Sequence, residues 1–374
     1  MIYIHIPYCH GKCTYCAFYS IASTADKTAY VNAVCEELKH RSAEKKTKAT
    51  TTIYFGGGTP SILTIEHLRQ IINTLNSCYD LSTVEECTIE CNPEDLTDDY
   101  IASLRGLNFF NRVSIGVQSF SDSDLHLLRR RHSAEQAITA IHKLGDAGFN
   151  NISIDLIYGL PNQSTSKWAE NLEQVRLIDP NHHCVQHLSC YALSVEPHTI
   201  LERQIRLGEL SPANEDTVVE QYNLLTEWCD ANQFEQYEIS NFCTAGNHSR
   251  HNSRYWTRTP YLGIGAAAHS FDGQHRRWNV SDIRKYIDGV TNGNDYFEYE
   301  TLTASDVNNE YVMTALRTSK GIDKKIIAPY IGIIDAKIRR FVDSGLIIDT
   351  GDRYTPTRQG LLHADGIAAE LFVD

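Results

Sequence analysis

Short apolar runs alternate with longer amphipathic stretches along the first 240 positions. Residues 2–6, 52–55, 87–91, 112–117, 151–157 and 185–191 are rich in Ile, Val, Tyr and Phe and read as strands. Between them, residues 29–39, 65–75, 134–147 and 167–178 carry apolar positions at helical spacing. Strand–helix alternation of this kind predicts parallel βαβ units in an α/β fold. Six such units can build a doubly wound sheet or an open, partial (β/α)6 TIM-like barrel.

Polar positions separate the two. Cys9–Cys16 follows the first strand, Gly56-Gly57-Gly58-Thr59-Pro60 the second, and Glu90 ends the third. Gln118 follows the fourth and Asp155 lies near the end of the fifth. Taken singly, Glu90 or Asp155 could cap a helix and Gln118 could be an ordinary loop residue. Together they occupy the C-terminal ends of five successive strands. A barrel gathers those ends on one face, whereas an open sheet spreads them along a line. Convergence favours the partial barrel.

Beyond residue 300 the pattern changes. Residues 308–318, 336–344 and 360–371 read as helices, and 345–355 as a hairpin with a Gly-Asp turn. Three segments follow: a barrel over 1–240, a closing segment over 241–300, and a small winged-helix-like domain over 301–374. Such a domain often binds nucleic acid. The balance of 34 Lys+Arg against 47 Asp+Glu, net −13, argues for packing instead. No apolar run is long enough for a membrane span, and the N-terminus does not read as a signal peptide. A cytoplasmic chain is expected. Its 11 cysteines then read as thiols and ligands rather than disulfides, with Cys35, Cys78, Cys184, Cys190 and Cys229 as small buried residues.

Three of those cysteines carry the candidate chemistry. Cys9, Cys13 and Cys16 stand in a Cys-x3-Cys-x2-Cys spacing. Three clustered thiolates suit an iron–sulfur cube with one iron left open to a further ligand. Zinc is the alternative, with His5 or His10 as fourth ligand. The triple glycine after the second strand lets a ligand approach the backbone. It lacks the Gly-Lys-Ser/Thr of a nucleotide-phosphate loop.

Cys-x3-Cys-x2-Cys followed by this glycine turn resembles the radical S-adenosylmethionine (SAM) superfamily. Tyr3-x-His5-Ile6-Pro7-Tyr8-Cys9, Gly56–Ser61, Gly116-Val117-Gln118-Ser119-Phe120 and Asp155-Leu156-Ile157-Tyr158-Gly159-Leu160-Pro161 are similar to the oxygen-independent coproporphyrinogen III oxidase family. The resemblance implies that Cys9, Cys13 and Cys16 ligate a 4Fe-4S cluster whose open iron chelates SAM. It implies a Gly57, Gly58 and Thr59 backbone holding the methionyl end. Tyr3, Tyr15, Glu90, Gln118, Arg130 and Asp155 match positions lining one or two SAM sites.

The family has an oxidase branch and a haem-chaperone branch. This chain carries Phe18 where oxidases usually have a fourth cysteine, and its cluster motif begins at Tyr3 with no long extension ahead of it. His251-Asn252-Ser253-Arg254-Tyr255-Trp256 matches the chaperone branch's His-Asn-x-x-Tyr-Trp signature. That makes His251, Asn252, Tyr255 and Trp256 candidates for haem contact, with His248 as a second histidine. Packing of a closing loop is the competing role for His251 and Trp256. His182, His183 and His187 read as structural or surface groups. A chaperone would hand haem to acceptor haem proteins, respiratory ones among them, and draw on a flavodoxin-like electron donor. The alternative is an anaerobic coproporphyrinogen III dehydrogenase that converts two propionates to vinyls.

Overall fold

Strands β1 (Ile2–Ile6), β2 (Thr52–Gly57), β3 (Glu86–Cys91), β4 (Arg112–Gln118), β5 (Ile152–Tyr158) and β6 (Val185–Ala192) run parallel and lie side by side in chain order. They belong to a computed structural model that describes residues 1–22, 27–45 and 49–374. Helices α1 (Lys27–His40), α2 (Ile65–Cys78), α3 (Asp98–Gly106), α4 (Ala134–Asp146) and α5 (Thr165–Ile178) fall between successive strands. Local chemistry sets their starts: the Thr64 side chain accepts the His67 N–H at the head of α2, and Ser133 with Gln136 forms a capping box on α4.

The first six strands and four of these helices match the sequence pattern. Strands buried on both faces read as continuous apolar runs, and Ile2, Ile4 and Ile6 of β1 are fully buried. Helix α3, with Asp98 and Asp99 in its first turn, is short and polar and left no clear periodic signal.

The sheet extends at both edges. After α6 (Glu215–Ala231), β7 (Glu235–Gln236) and β8 (Asn241–Cys243) add antiparallel strands beyond β6. Helix α7 (Arg250–Trp256) then leads to β9 (Leu262–Ile264), which pairs in parallel with β1. The nine strands follow the order β9-β1-β2-β3-β4-β5-β6-β8-β7. The result is an open, partial α/β barrel, with no strand pairing joining β9 to β7 among the described residues.

Strands β10 (His269–Phe271) and β11 (His275–Asn279), helix α8 (Ile283–Asn292) and strand β12 (Phe297–Thr301) follow. The three strands form an antiparallel sheet against the β9 side.

The remaining chain builds a second core. Helices α9 (Ala304–Leu316), α10 (Ile331–Asp343) and α11 (Ala364–Leu371) enclose Val312, Leu316, Ile334, Ile338 and Leu371. Strand β13 (Ile322–Asp323) pairs with β15 (Arg353–Pro356), whose other side meets β14 (Ile347–Asp349). The expected single helix over 360–371 is two helices, Arg358–Leu362 and Ala364–Leu371, separated at His363. Cys78 and Cys184 are half-buried rather than buried.

Candidate cluster and cofactor site

The C-terminal ends of β1 to β6 enclose a cavity of about 640 Å³. Cys9, Cys13 and Cys16 lie at its wall as free, half-exposed thiols. The loop carrying them is anchored by its backbone. The Thr14 N–H donates to Leu128 O at 3.2 Å, its hydroxyl donates to Leu127 O at 3.1 Å, and its carbonyl accepts the Leu201 N–H at 2.8 Å. Held this way, the loop presents its thiols with little conformational freedom left to lose.

Among the described residues, no three His, Cys, Asp or Glu side chains converge tightly enough for a single metal ion. Thiols that each ligate a different iron of a cube stand further apart than ligands of one ion. The donor set therefore fits a cluster better than a mononuclear site. Of the two histidines weighed as a zinc ligand, His5 has both ring nitrogens engaged, while His10 has one. His5 shares hydrogen bonds with Tyr3 Oη and Tyr19 O, both at 3.1 Å, and His10 Nε2 lies 2.7 Å from Asp95 Oδ1.

Backbone forms the adjoining wall. Gly57 has φ +114°, a conformation L-residues rarely adopt, and a Cβ there would meet the His5 ring at 2.5 Å. A Cβ at Gly58 would lie 2.6 Å from Tyr8 O, so this turn packs directly on the segment leading into Cys9. Thr59 donates its hydroxyl to Cys9 Sγ at 3.6 Å.

Two half-buried carboxylates reach the same cavity. Glu90 accepts from Tyr54 Oη at 2.7 Å and from the Gly57 N–H at 3.0 Å. Burial, opposed by the Tyr54 hydrogen bond and reinforced by Asp155, pushes its carboxyl up to about 7. Asp155 accepts from the Ser114 hydroxyl at 3.2 Å, and burial raises it to about 6.

Arg130 bridges the wall to the thiols. It donates to Gly116 O at 2.6 Å, to Asn92 Oδ1 at 2.7 Å and to Cys13 Sγ at 3.5 Å. Gln118 lines the cavity with φ +69°, beside the shift in register between β4 and β5 that follows Gly116. Tyr15 lines it as well, and its phenol is pushed up by burial.

Most of the expected residues therefore meet at one place: Cys9, Cys13, Cys16, Tyr15, Gly57, Gly58, Thr59, Glu90, Gln118, Arg130 and Asp155. Tyr3 does not line the cavity. It stacks on Tyr54, ring centroids 6.1 Å apart, behind Glu90. Asn92 is one of the cavity residues that sequence reasoning missed. It holds Arg130 and donates to Thr59 Oγ1 at 3.2 Å. Its place next to the Glu90 strand end was the available signal.

The His-Asn-x-x-Tyr-Trp motif lies elsewhere. It forms α7, at the opposite end of β2 from the thiols. His251 is fully buried, with Nδ1 2.9 Å from Thr52 Oγ1 and Nε2 3.0 Å from Tyr255 Oη. Its N–H donates to Glu86 Oε1 at 2.8 Å. Asn252, Tyr255 and Trp256 are half-buried, with the Arg317 guanidinium 5.9 Å from the Trp256 ring centre. None of the four reaches the thiol cavity.

Comparison with known proteins agrees with this architecture. A radical SAM superfamily model matches residues 3–175. The protein named heme chaperone HemW of Bacillus subtilis is 32% identical, over 96% of this chain and 96% of its own length. The one of Lactococcus lactis is 30% identical, over 100% of this chain and 97% of its own length. Among solved structures, coproporphyrinogen III oxidase (HemN) of Escherichia coli, described as a radical SAM enzyme, superposes with a TM-score of 0.86. At 22% identity over 100% of this chain and 89% of that one, this shows a shared fold. The chain belongs to the radical SAM superfamily and, within it, to the family of proteins named heme chaperone HemW.

Proposed function

We propose that this chain is a haem chaperone that holds a 4Fe-4S cluster on Cys9, Cys13 and Cys16, binds SAM in the adjoining cavity, and carries haem to an acceptor haem protein. One observation carries the reading: full-length likeness to heme chaperone HemW proteins coincides with three thiols on the wall of a cavity lined by glycine backbone, carboxylates and an arginine. When bound and reduced, such a cluster supplies the electron that cleaves SAM.

The chain's own groups divide the binding work. Arg130, fixed by Asn92 and Gly116 O, sets a positive charge beside Cys13 and suits a carboxylate. Glu90 and Asp155 suit ribose hydroxyls or an ammonium. The Gly57–Gly58 turn gives a ligand access to main-chain polar groups. Tyr3 acts from behind, through Tyr54, on the position of Glu90. A flavodoxin-like donor in the cytoplasm and an acceptor of respiratory type complete the proposal. No helix among the described residues is long and apolar enough to cross a membrane.

The test is anaerobic reconstitution followed by haem titration and transfer. One haem per chain, passed to an apo-acceptor, together with no vinyl product from coproporphyrinogen III, is the expected result. Vinyl product with 5′-deoxyadenosine would instead make the chain a dehydrogenase. A cluster spectrum unmoved by SAM would remove SAM from the proposal.

A further inference from the structure

A second cavity, of about 600 Å³, opens at the other end of the barrel. Met1, Thr51 and Leu262 line it just ahead of or within β1, β2 and β9, and the β10–β12 sheet forms its outer wall. One strand length, roughly 17 Å for five residues, separates it from the thiol end. Its volume lies within the range of small-molecule sites, about 300–1,000 Å³.

The lining is unusual for a surface left to water. Phe297 and Tyr299 on the edge strand β12 are 40% and 70% exposed. Large exposed rings at a cavity mouth offer flat apolar area to a ligand. The Arg277 guanidinium stacks 3.6 Å from the Phe297 ring centre, donates to Tyr296 Oη at 3.2 Å and lies 3.8 Å from both Glu37 and Glu44, so it is already committed. Arg254 donates to Thr51 Oγ1, and no carboxylate pairs with it among the described residues.

Acidic groups are present but committed. Glu44 accepts from Arg41 at 2.7 Å, and Asp272 binds His275 Nδ1 at 2.9 Å. That last pair leaves Nε2 of a 47%-exposed imidazole without a protein partner among the described residues. A carboxylate on one ring nitrogen, with the other free, is the arrangement metal-ligating histidines use. Apolar rings, a cation without a carboxylate partner and an oriented imidazole together fit a flat iron porphyrin carboxylate.

We propose that this cavity is the haem site, with His275 as iron ligand, Phe297 and Tyr299 against the porphyrin, and Arg254 as partner of a propionate. The assignment rests on the chaperone reading above and locates its cargo. It also gives the buried family motif a role. His251 meets Tyr255, Tyr255 packs edge-on against the lining residue Tyr261 with centroids 4.8 Å apart, and Arg254 lies between them in sequence. His251 is then a positioning residue rather than the ligand.

The test is titration of the cluster-loaded full chain with hemin, followed in the Soret band, and with metal-free protoporphyrin IX, followed by fluorescence. His275→Ala should weaken hemin binding by about 10-fold or more and shift the Soret maximum, while leaving metal-free porphyrin unchanged. Tyr299→Ser should weaken both ligands several-fold, and Arg254→Gln should do so to a smaller extent. All three side chains are at least partly exposed, and unchanged thermal melting would show that the variants fold. A wild type that takes one haem, with affinity and Soret maximum unaltered in His275→Ala and Tyr299→Ser, would overturn the site and leave the chaperone reading standing. A wild type that takes no stoichiometric haem would overturn both.

Discussion

Two half-buried carboxylates on the cavity wall would couple the binding of a cationic ligand to protons. Glu90 is raised from its ordinary 4.5 to about 7, so the folded chain keeps a proton there that the unfolded chain releases. Its burial therefore costs nothing below pH 4.5, destabilises increasingly as pH rises to 7, and is constant above. A bound sulfonium or ammonium favours the carboxylate form, so SAM binding should release a fraction of a proton per chain near pH 6.5 and tighten as pH rises from 5.5 to 8. Calorimetry in two buffers of different ionisation enthalpy checks this, since identical apparent enthalpies would mean no proton is released. Glu90→Gln should reduce the pH dependence, leaving the part due to Asp155, and weaken SAM binding. His251 makes the opposite kind of prediction. Its ring meets Thr52 and Tyr255 in the interior, so His251→Ala should cost about 2–4 kcal/mol of stability, read as a lowered denaturation midpoint. Hemin bound to the surviving folded fraction should keep its Soret maximum.

At the level of elements, β9 is short and decisive. Only Leu262–Ile264 pair with β1, yet a Cβ on Gly263 would stand 1.8 Å from His269 O, where the turn into β10 folds back. Gly263→Ala should therefore destabilise the chain by about 3 kcal/mol, the upper part of the usual overpacking range, and chemical denaturation measures it. Neither β9 nor the sheet after it was legible in the sequence. Three residues carry no period, and β11 reads His-Arg-Arg-Trp-Asn, whose cations look solvated until Tyr296 and Phe297 are seen stacked on Arg277. The six parallel strands and the cysteine loop were legible because burial on two faces and ligand spacing are both local signals. Convergence of Glu90, Gln118 and Asp155 was legible as well, since strand ends share a face in any βα-barrel. The role of Asn92 was not, because it depends on Arg130, a partner distant in sequence, and the sequence left packing of His251 as one of two readings because Thr52 is equally distant.

The whole molecule has two cores. The residues around Val312 and Ile338 form one separate from the barrel's, and the contacts between the two units include polar ones such as Ile239 N–H to Arg317 O at 2.9 Å and Arg358 to Asp230 at 2.8 Å. Sub-global opening follows such seams. Native-state hydrogen exchange should find α10 and α11 opening together at lower free energy than β4 and β5, and a single common opening energy would argue against it. The pairing of β9 with β1 also has a meaning in time. Residue 2 meets residue 262, and Glu37 on α1 is completed by the Gly265 N–H, Asn279 and Tyr286. At about 5–20 residues per second of synthesis, the first strand and its buried acid wait about 13–50 s for these partners. The cysteine loop sits on that waiting strand, so on a ribosome the nascent chain exposes its thiols well before the barrel that shelters them is complete, and metal loading during synthesis would compete with oxidation throughout that interval.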